Sequence, residues 1–487
     1  MKGSVNKGFM TYLLLFLGMI VGVVLVCLSI MMFSPGTEIL GYVYYNASTK
    51  TEVQTYNGLD TVTGNGNETV LKNSVGEVVA PLENPANIDF GSLTKIIVKT
   101  NSSSVNFVHG PEDRIDVVTK QSGFNKKSDI EDFVITKQYN SETKTLIITA
   151  YNPSLLLTLN NNNEINVIIQ NQTANLVAEV ETTTAPVTFA NKAFSSLITK
   201  DLTIKEFKAT TTNGDVTIGL VGKITNSLEV SVTKANITLK GNLGASESAK
   251  LSAITFNVGN GNVEALNLFT NLLTLTGETT FVSATNVYGN VECDIVRGNI
   301  EIENVYGNFT GSENVVNTKM VLGSIGGGFT LPSSQGASIN IDDVSGIVYI
   351  RSESGNVEIK HAANSVNIET ESGSIKILIE GDFNTLLKTT SGSVTALYKD
   401  VLKANSIETG SGTVNVFYKE TSLFIFTANT TKTINLIAEH LTFENATITG
   451  YPAQADEVFE TENTLTINSQ ANINVDRAQE IAWSLNG

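Results

Sequence analysis

Asp342 and Asp343 are the carboxylate pair best placed for chemistry, with Arg351 nine residues beyond the first and His361 eighteen beyond the second. Two carboxylates with a His and an Arg could cleave a polysaccharide, one acting as acid and the other as base or nucleophile, if all converge on one groove. Paired aspartates also cap turns through their side-chain oxygens, and Ile341-Asp-Asp-Val-Ser-Gly346 reads as a corner between strands. The Gly-His-Gly and Arg-Ile-Lys-like segments of pectin-degrading hydrolases are absent. The expectation is no enzyme and no catalytic residue. Polysaccharide degradation at Asp342, Asp343, Arg351 and His361 stays as an alternative.

The other reactive residue types are scattered. His109, His361 and His440 lie too far apart for metal-ligand spacing. His109, beside Gly110-Pro111, reads as a solvated loop residue. Gly326-Gly-Gly328 lacks the following Asp and the consecutive copies of calcium-binding nonapeptide repeats. No Walker-type loop, dinucleotide fingerprint or Gly-x-Ser-x-Gly elbow follows a strand and opens a helix. No metal and no cofactor is expected. Cys27 and Cys293 cannot build a disulfide framework, and the alternation in Val291-Glu-Cys293 turns Cys293 inward as an inert thiol.

Whatever these residues do, a repeat positions them. Ile350-Arg-Ser-Glu-Ser-Gly-Asn-Val-Glu-Ile359 recurs as Ile368–Ile377, Leu387–Ala396 and Ile407–Val416, with Gly355, Gly373, Gly392 and Gly412 spaced 18, 19 and 20 residues apart. Regular self-similarity of this length marks stacked units that bury their apolar sides against one another. Period two puts Val357, Ile359, Ile375 and Ile377 on one face and the charges on the other. The Ser-Gly pair supplies the corner, glycine because it accepts positive φ. The fold class predicted is all-β, a β-solenoid behind one N-terminal transmembrane helix. A hairpin meander or sandwich could also use period-two strands, though it would favour Asn-Gly or Asp-Gly loops.

Looser copies at Asn213-Gly214 and Asn260-Gly261, and nine-residue half-steps at Gly289, Gly298 and Gly307, carry the pattern upstream. The repeats are assigned to 195–450, about a dozen coils forming a stack on the order of 60 Å long. The remaining segments are a short tail (1–8), a transmembrane helix (9–33), a stalk with some local β structure (34–85), an N-terminal β region (86–194) and a C-terminal cap (451–487). In the N-terminal β region, 93–98, 105–108, 114–118, 145–149 and 165–169 read as strands, and Gly110-Pro111 and Asn160–Asn163 as turns. Thr464–Ile467 reads as a strand of the cap, which would cover the open edge of the last coil.

Phe9–Phe33 carries no charge over 25 residues, long enough to span a bilayer, and a cleaved signal peptide is the alternative. Lys2 and Lys7 precede it and Glu38 follows, so the N-terminus is expected in the cytoplasm and the bulk of the chain outside. With 31 Lys+Arg against 48 Asp+Glu the formal net charge is −17, which argues against nucleic acid and anionic lipid headgroups as partners.

The order of these pieces resembles the bacterial putative-adhesin family of β-strand-repeat proteins. The matching residues are Ile96-Ile-Val98, Val105-Asn-Phe107, Thr145-Leu-Ile-Ile148 and Val167-Ile-Ile-Gln170, followed by the copies at Gly214, Gly355, Gly373, Gly392 and Gly412. Gln170 stands where the family usually has proline. The resemblance spans about 86–450 and implies a β-solenoid surface protein with a structural or adhesive role. An envelope-stress sensor is the second class it implies, weakened by a tail of about eight residues. Cell-envelope glycan or a surface protein is the expected partner.

Overall fold

The structure, a computed structural model, describes residues 7–34, 37–40, 42–45, 51–57, 90–110, 113–121, 123–126, 134–151, 161–169, 175–189, 202–219, 222–244, 246–381, 383–399, 403–419, 425–436, 441–444, 447–450 and 464–478. The chain divides into two compact units, Met1–Leu202 and Thr203–Gly487. Strands account for 63% of it, so the all-β expectation holds apart from one long helix.

That helix, in the first unit, runs Lys7–Phe33, two residues longer at its start than the uncharged run. Its stretch Met10–Phe33 has a mean hydropathy of 3.0 and is largely exposed, Met31 excepted, and it is long and apolar enough to cross a membrane. Signal sequences share that property.

The five strands expected between 93 and 169 form as Lys95–Thr100, Ser104–His109, Arg114–Gln121, Thr145–Tyr151 and Asn161–Ile169. Asn161–Asn163 are not a turn: they open the last strand and pair antiparallel with Thr119–Gln121. Ladder bonding there overrides the weak strand preference of asparagine. Pro111 and Asn160 lie outside the described residues. Two segments read as stalk are also drawn into pairing, Tyr42–Tyr45 with Gly123–Lys126 and Thr51–Asn57 with Arg114–Gln121. Parallel pairing appears in this unit too, for Lys95–Thr100 with both Thr145–Tyr151 and Val177–Thr182.

In the second unit, among the described strands between Asn317 and Lys419, each pairs in parallel with the second strand along, not with its successor. Val357–Ala362 lies between Ser338–Val344 and Ile375–Ile379, while Val366–Thr370 lies between Val348–Ser352 and Thr385–Thr389. A hairpin meander would pair neighbours antiparallel, so this stretch is not one. The register stacks Ile339, Val357, Ile375, Val394 and Val414 in one inward column, all essentially inaccessible. Ile350, Ile368, Leu387 and Ile407 form another. Ser334 and Ser352, Thr370, Thr389 and Thr409 bury a hydroxyl at each inner corner.

Upstream, Ala253–Leu268, Leu272–Val287 and Asn290–Val305 are 16-residue strands paired directly in succession, in parallel. The nine-residue half-steps resolve here into two separate columns. Gly289, Gly307, Gly327 and Gly346 follow one another at one corner; Gly298 belongs to the other, which continues into Gly355 and Gly373.

At the far end the chain order breaks. Thr464–Ser469 sits between Ala404–Thr409 and Ile425–Asn429, in parallel with both. Ile473–Ala478 does the same between Val414–Lys419 and Ile434–Leu436. The segment expected as cap therefore supplies internal strands, and 425–436 takes the outer position with a hairpin of Leu441–Glu444 and Thr447–Gly450 beside it.

Candidate binding face

Each corner of the repeat is built by one hydroxyl and one glycine. Gly392 N–H donates to Thr389 Oγ1 (2.9 Å), which itself donates to the carbonyl of Gly373 (3.1 Å), one strand layer below. Gly412 and Thr409 repeat the arrangement against the carbonyl of Gly392 (3.1 and 3.2 Å). Glycine is required here less by backbone angle than by crowding. Among Gly355, Gly373, Gly392 and Gly412 only Gly355 has positive φ, at 110°, yet a Cβ on any of them would collide with the backbone of the layer below. The sequence reading saw the Ser-Gly corner and missed the Thr three residues before it, although its recurrence at fixed phase was there to be found.

Outward side chains pair along the stack. Lys376 meets Glu358 (3.1 Å), Arg351 meets Glu369 (3.3 Å) and Lys388 meets Glu408 (3.1 Å), each with its partner on the adjacent strand of the ladder. The expected cluster is divided by this logic. Asp342 pairs with Lys360 (2.6 Å), Asp343 approaches His361 Nδ1 (3.3 Å), and Arg351 belongs to a different ladder. His361 Nε2 contacts Glu380, which also accepts from Lys399 (2.7 Å). Hydrogen bonds from Lys399 and then His361 hold the Glu380 carboxyl below its ordinary range, and the bond to Asp342 raises Lys360. Both ring nitrogens of His361 are thus occupied by carboxylates. The arrangement is an outer column of polar and charged groups, open to solvent, in which Asp342 and Glu380 have lysine counterions and Asp343 faces His361.

His109 is not solvated: it is buried at the end of Ser104–His109. His440 lies outside the described residues. Cys293 points inward as expected, and burial pushes its thiol up to about 12. Among the described residues, no group of three or more His, Cys, Asp or Glu is placed to hold a metal.

Polar and aromatic ladders run along the upstream part of the same unit. Asn267 donates to Asn242 (2.7 Å), Asn286 to Asn267 (2.6 Å) and Asn304 to Asn286 (2.8 Å). Two residues further on, just past the end of each strand, stand Phe269, Tyr288 and Tyr306, stacked face to face with ring centroids 4.3 and 4.4 Å apart. These spacings match the distance between paired strands. Corner asparagines complete the face: Asn290 Oδ1 accepts from the Asn308 N–H (2.9 Å), and Asn308 Oδ1 from the Gly328 N–H (2.8 Å). One surface depression, of about 560 Å³, is lined by Lys388, Thr390, Glu408, Thr430, Asn468 and Gln470.

No family model matches the chain, and no curated protein does. Three solved structures align along most of its length. They are a putative cell adhesion protein from Clostridium sporogenes (8% identity, TM-score 0.15), a putative adhesin from Bacteroides fragilis (10%, 0.16) and a putative lipid binding protein from Parabacteroides distasonis (9%, 0.19). The alignments cover 88, 88 and 89% of this chain and 99% of each of those chains. At these TM-scores the likeness carries no argument about what this chain binds.

Proposed function

We propose that this chain is a β-solenoid held at a membrane by its N-terminal helix, with the β structure outside the cell, and that it binds and displays rather than catalyses. Parallel ladders whose partners lie 18–20 residues apart support the solenoid, since each step is the length of one coil. The observation that carries the function is the outer face. Its Asn, Thr and paired charged side chains repeat in register from strand to strand, over a core made mainly of apolar columns with the hydroxyls of Thr370, Thr389 and Thr409 hydrogen-bonded at its corners. Such a face suits broad, shallow contact with an envelope glycan or a surface protein, weak per site and strengthened by many copies. The net charge of −17 disfavours nucleic acid.

The test is binding of full-length protein, reconstituted in vesicles at low and high surface density, to purified cell-wall material. Retention per molecule should rise steeply with density. Equal retention at both densities, or none, overturns the reading. Polysaccharide turnover that disappears in an Asp342→Asn, Asp343→Asn double variant would establish the enzyme in its place.

A further inference from the structure

The aromatic column Phe269–Tyr288–Tyr306 ends abruptly. The next position in its register is Gly326, because Val305 pairs with Ile325, and the one after that is Ser345. One face of the Tyr306 ring rests on Tyr288 and the other meets a layer without a side chain, leaving the residue 54% exposed. Gly326 is itself enforced: a Cβ there would stand 2.9 Å from the Tyr306 carbonyl oxygen. The gap from Tyr306 to the Ser345 layer is two strand spacings, about 9.6 Å. That distance accepts one ring of ordinary thickness in van der Waals contact with the tyrosine.

The flanks of this slot are chemically uneven. On one side lie Asn304, at the open end of the amide ladder, then Ser324 and Asp343 in the following layers. On the other, past the floor of Gly326–Gly328, stands Ile347, 60% exposed. Hydroxyl-accepting and hydroxyl-donating groups beside an open aromatic face are what a sugar ring needs. Its apolar C–H face packs on the aromatic ring, and its rim hydroxyls pair with amide, hydroxyl and carboxylate.

We propose that the Tyr306–Gly326 slot binds a pyranose ring of a glycan, one with equatorial substituents whose axial C–H bonds leave a flat apolar face. This rests on the binding role above and names its ligand class. A flat hydrocarbon surface would use Tyr306 and Ile347 but would strip water from Asn304, Ser324 and Asp343 without offering them a hydrogen bond in exchange, at a desolvation cost.

The experiment measures binding of chitohexaose and cellohexaose to the full-length protein in detergent, by saturation-transfer NMR and competition. Wild type and Tyr306→Phe should bind at least one of them within about twofold of each other, since the ring is kept. Tyr306→Ala should weaken binding ~10-fold or more with an unchanged melting temperature. Ser345→Trp, which fills the slot from the far side and leaves Tyr306 in place, should weaken it too. Tyr349→Ala, on another ladder, is the control. If Tyr306→Ala and Ser345→Trp bind as wild type does, the slot is not the site. If wild type binds neither oligosaccharide yet is still retained on cell-wall material, the ligand class is overturned and the binding role survives. Loss of both removes the two proposals together.

Discussion

The carbonyl oxygen of Gly355 occupies the space that a Cβ on Gly373 would need, and Gly373 stands in the same relation to Gly392. Successive corners of the repeat approach so closely that the backbone of one layer is the floor of the next. The glycine column is therefore a packing requirement between layers, repeated at each step, and not a property of isolated turns.

Gly373→Ala should destabilise the protein by about 2–3 kcal/mol, because the Gly355 backbone in the layer below must shift to admit a methyl group. Chemical denaturation of the full-length protein in detergent measures it. A loss no larger than that of the exposed substitution Ser372→Ala would mean that the layers are not in the register described.

Thr389→Val keeps the side-chain shape and removes the hydroxyl that links Gly392 N–H to the carbonyl of Gly373. Leaving those buried backbone groups without the hydroxyl should cost about 1–3 kcal/mol. Lys388→Ala, one residue earlier on the outer face, should stay within about 0.5 kcal/mol. Equal midpoints for the two would contradict the corner geometry.

Ile375→Asp places a carboxylate inside the apolar column and should cost several kcal/mol, about 4 or more, or open the stack locally. Lys376→Ala next to it removes a partly exposed pair with Glu358 and should barely move the midpoint. Similar losses for both would show that the inward and outward faces have been exchanged.

Glu380 titrates below its ordinary 4.5 because Lys399 and His361 hydrogen-bond its charged form. A carboxyl lowered by folding adds stability that is present above the unfolded value and lost as pH falls through the folded one. The melting temperature of Glu380→Gln should thus lie below wild type at neutral pH. That difference should shrink as pH drops below about 4.5. A difference independent of pH would mean that the amide perturbs packing, not charge.

The apolar helix and its preceding lysines predict that protease added to intact cells removes the β structure from the surface. Full protection would reverse the orientation. A released form beginning near residue 35 would identify the helix as a cleaved signal.

The sequence alone determined which side chains face inward. Val357, Ile359, Ile375 and Ile377 could be assigned from alternation, because period two is a local property of an extended chain and needs no knowledge of its neighbours. The repeat length was legible for the same reason. Which strands touch was not. The insertion of Thr464–Ser469 between Ala404–Thr409 and Ile425–Asn429 joins segments far apart in the chain, and all three carry the same alternation. Any of them could pair with any other, and only the energy of the whole stack selects the order. The same holds for the outer face. Arg351 and His361 sit at suggestive spacing, but their partners are decided by ladder membership, Glu369 for one and Asp343 with Glu380 for the other. Tyr288 and Tyr306 were unremarked in the sequence because two tyrosines 18 residues apart mean nothing until parallel register lays one ring on the next and leaves glycine above the second. Local chemistry sets the face of each residue; tertiary pairing sets its neighbours, and the binding surface is made of neighbours.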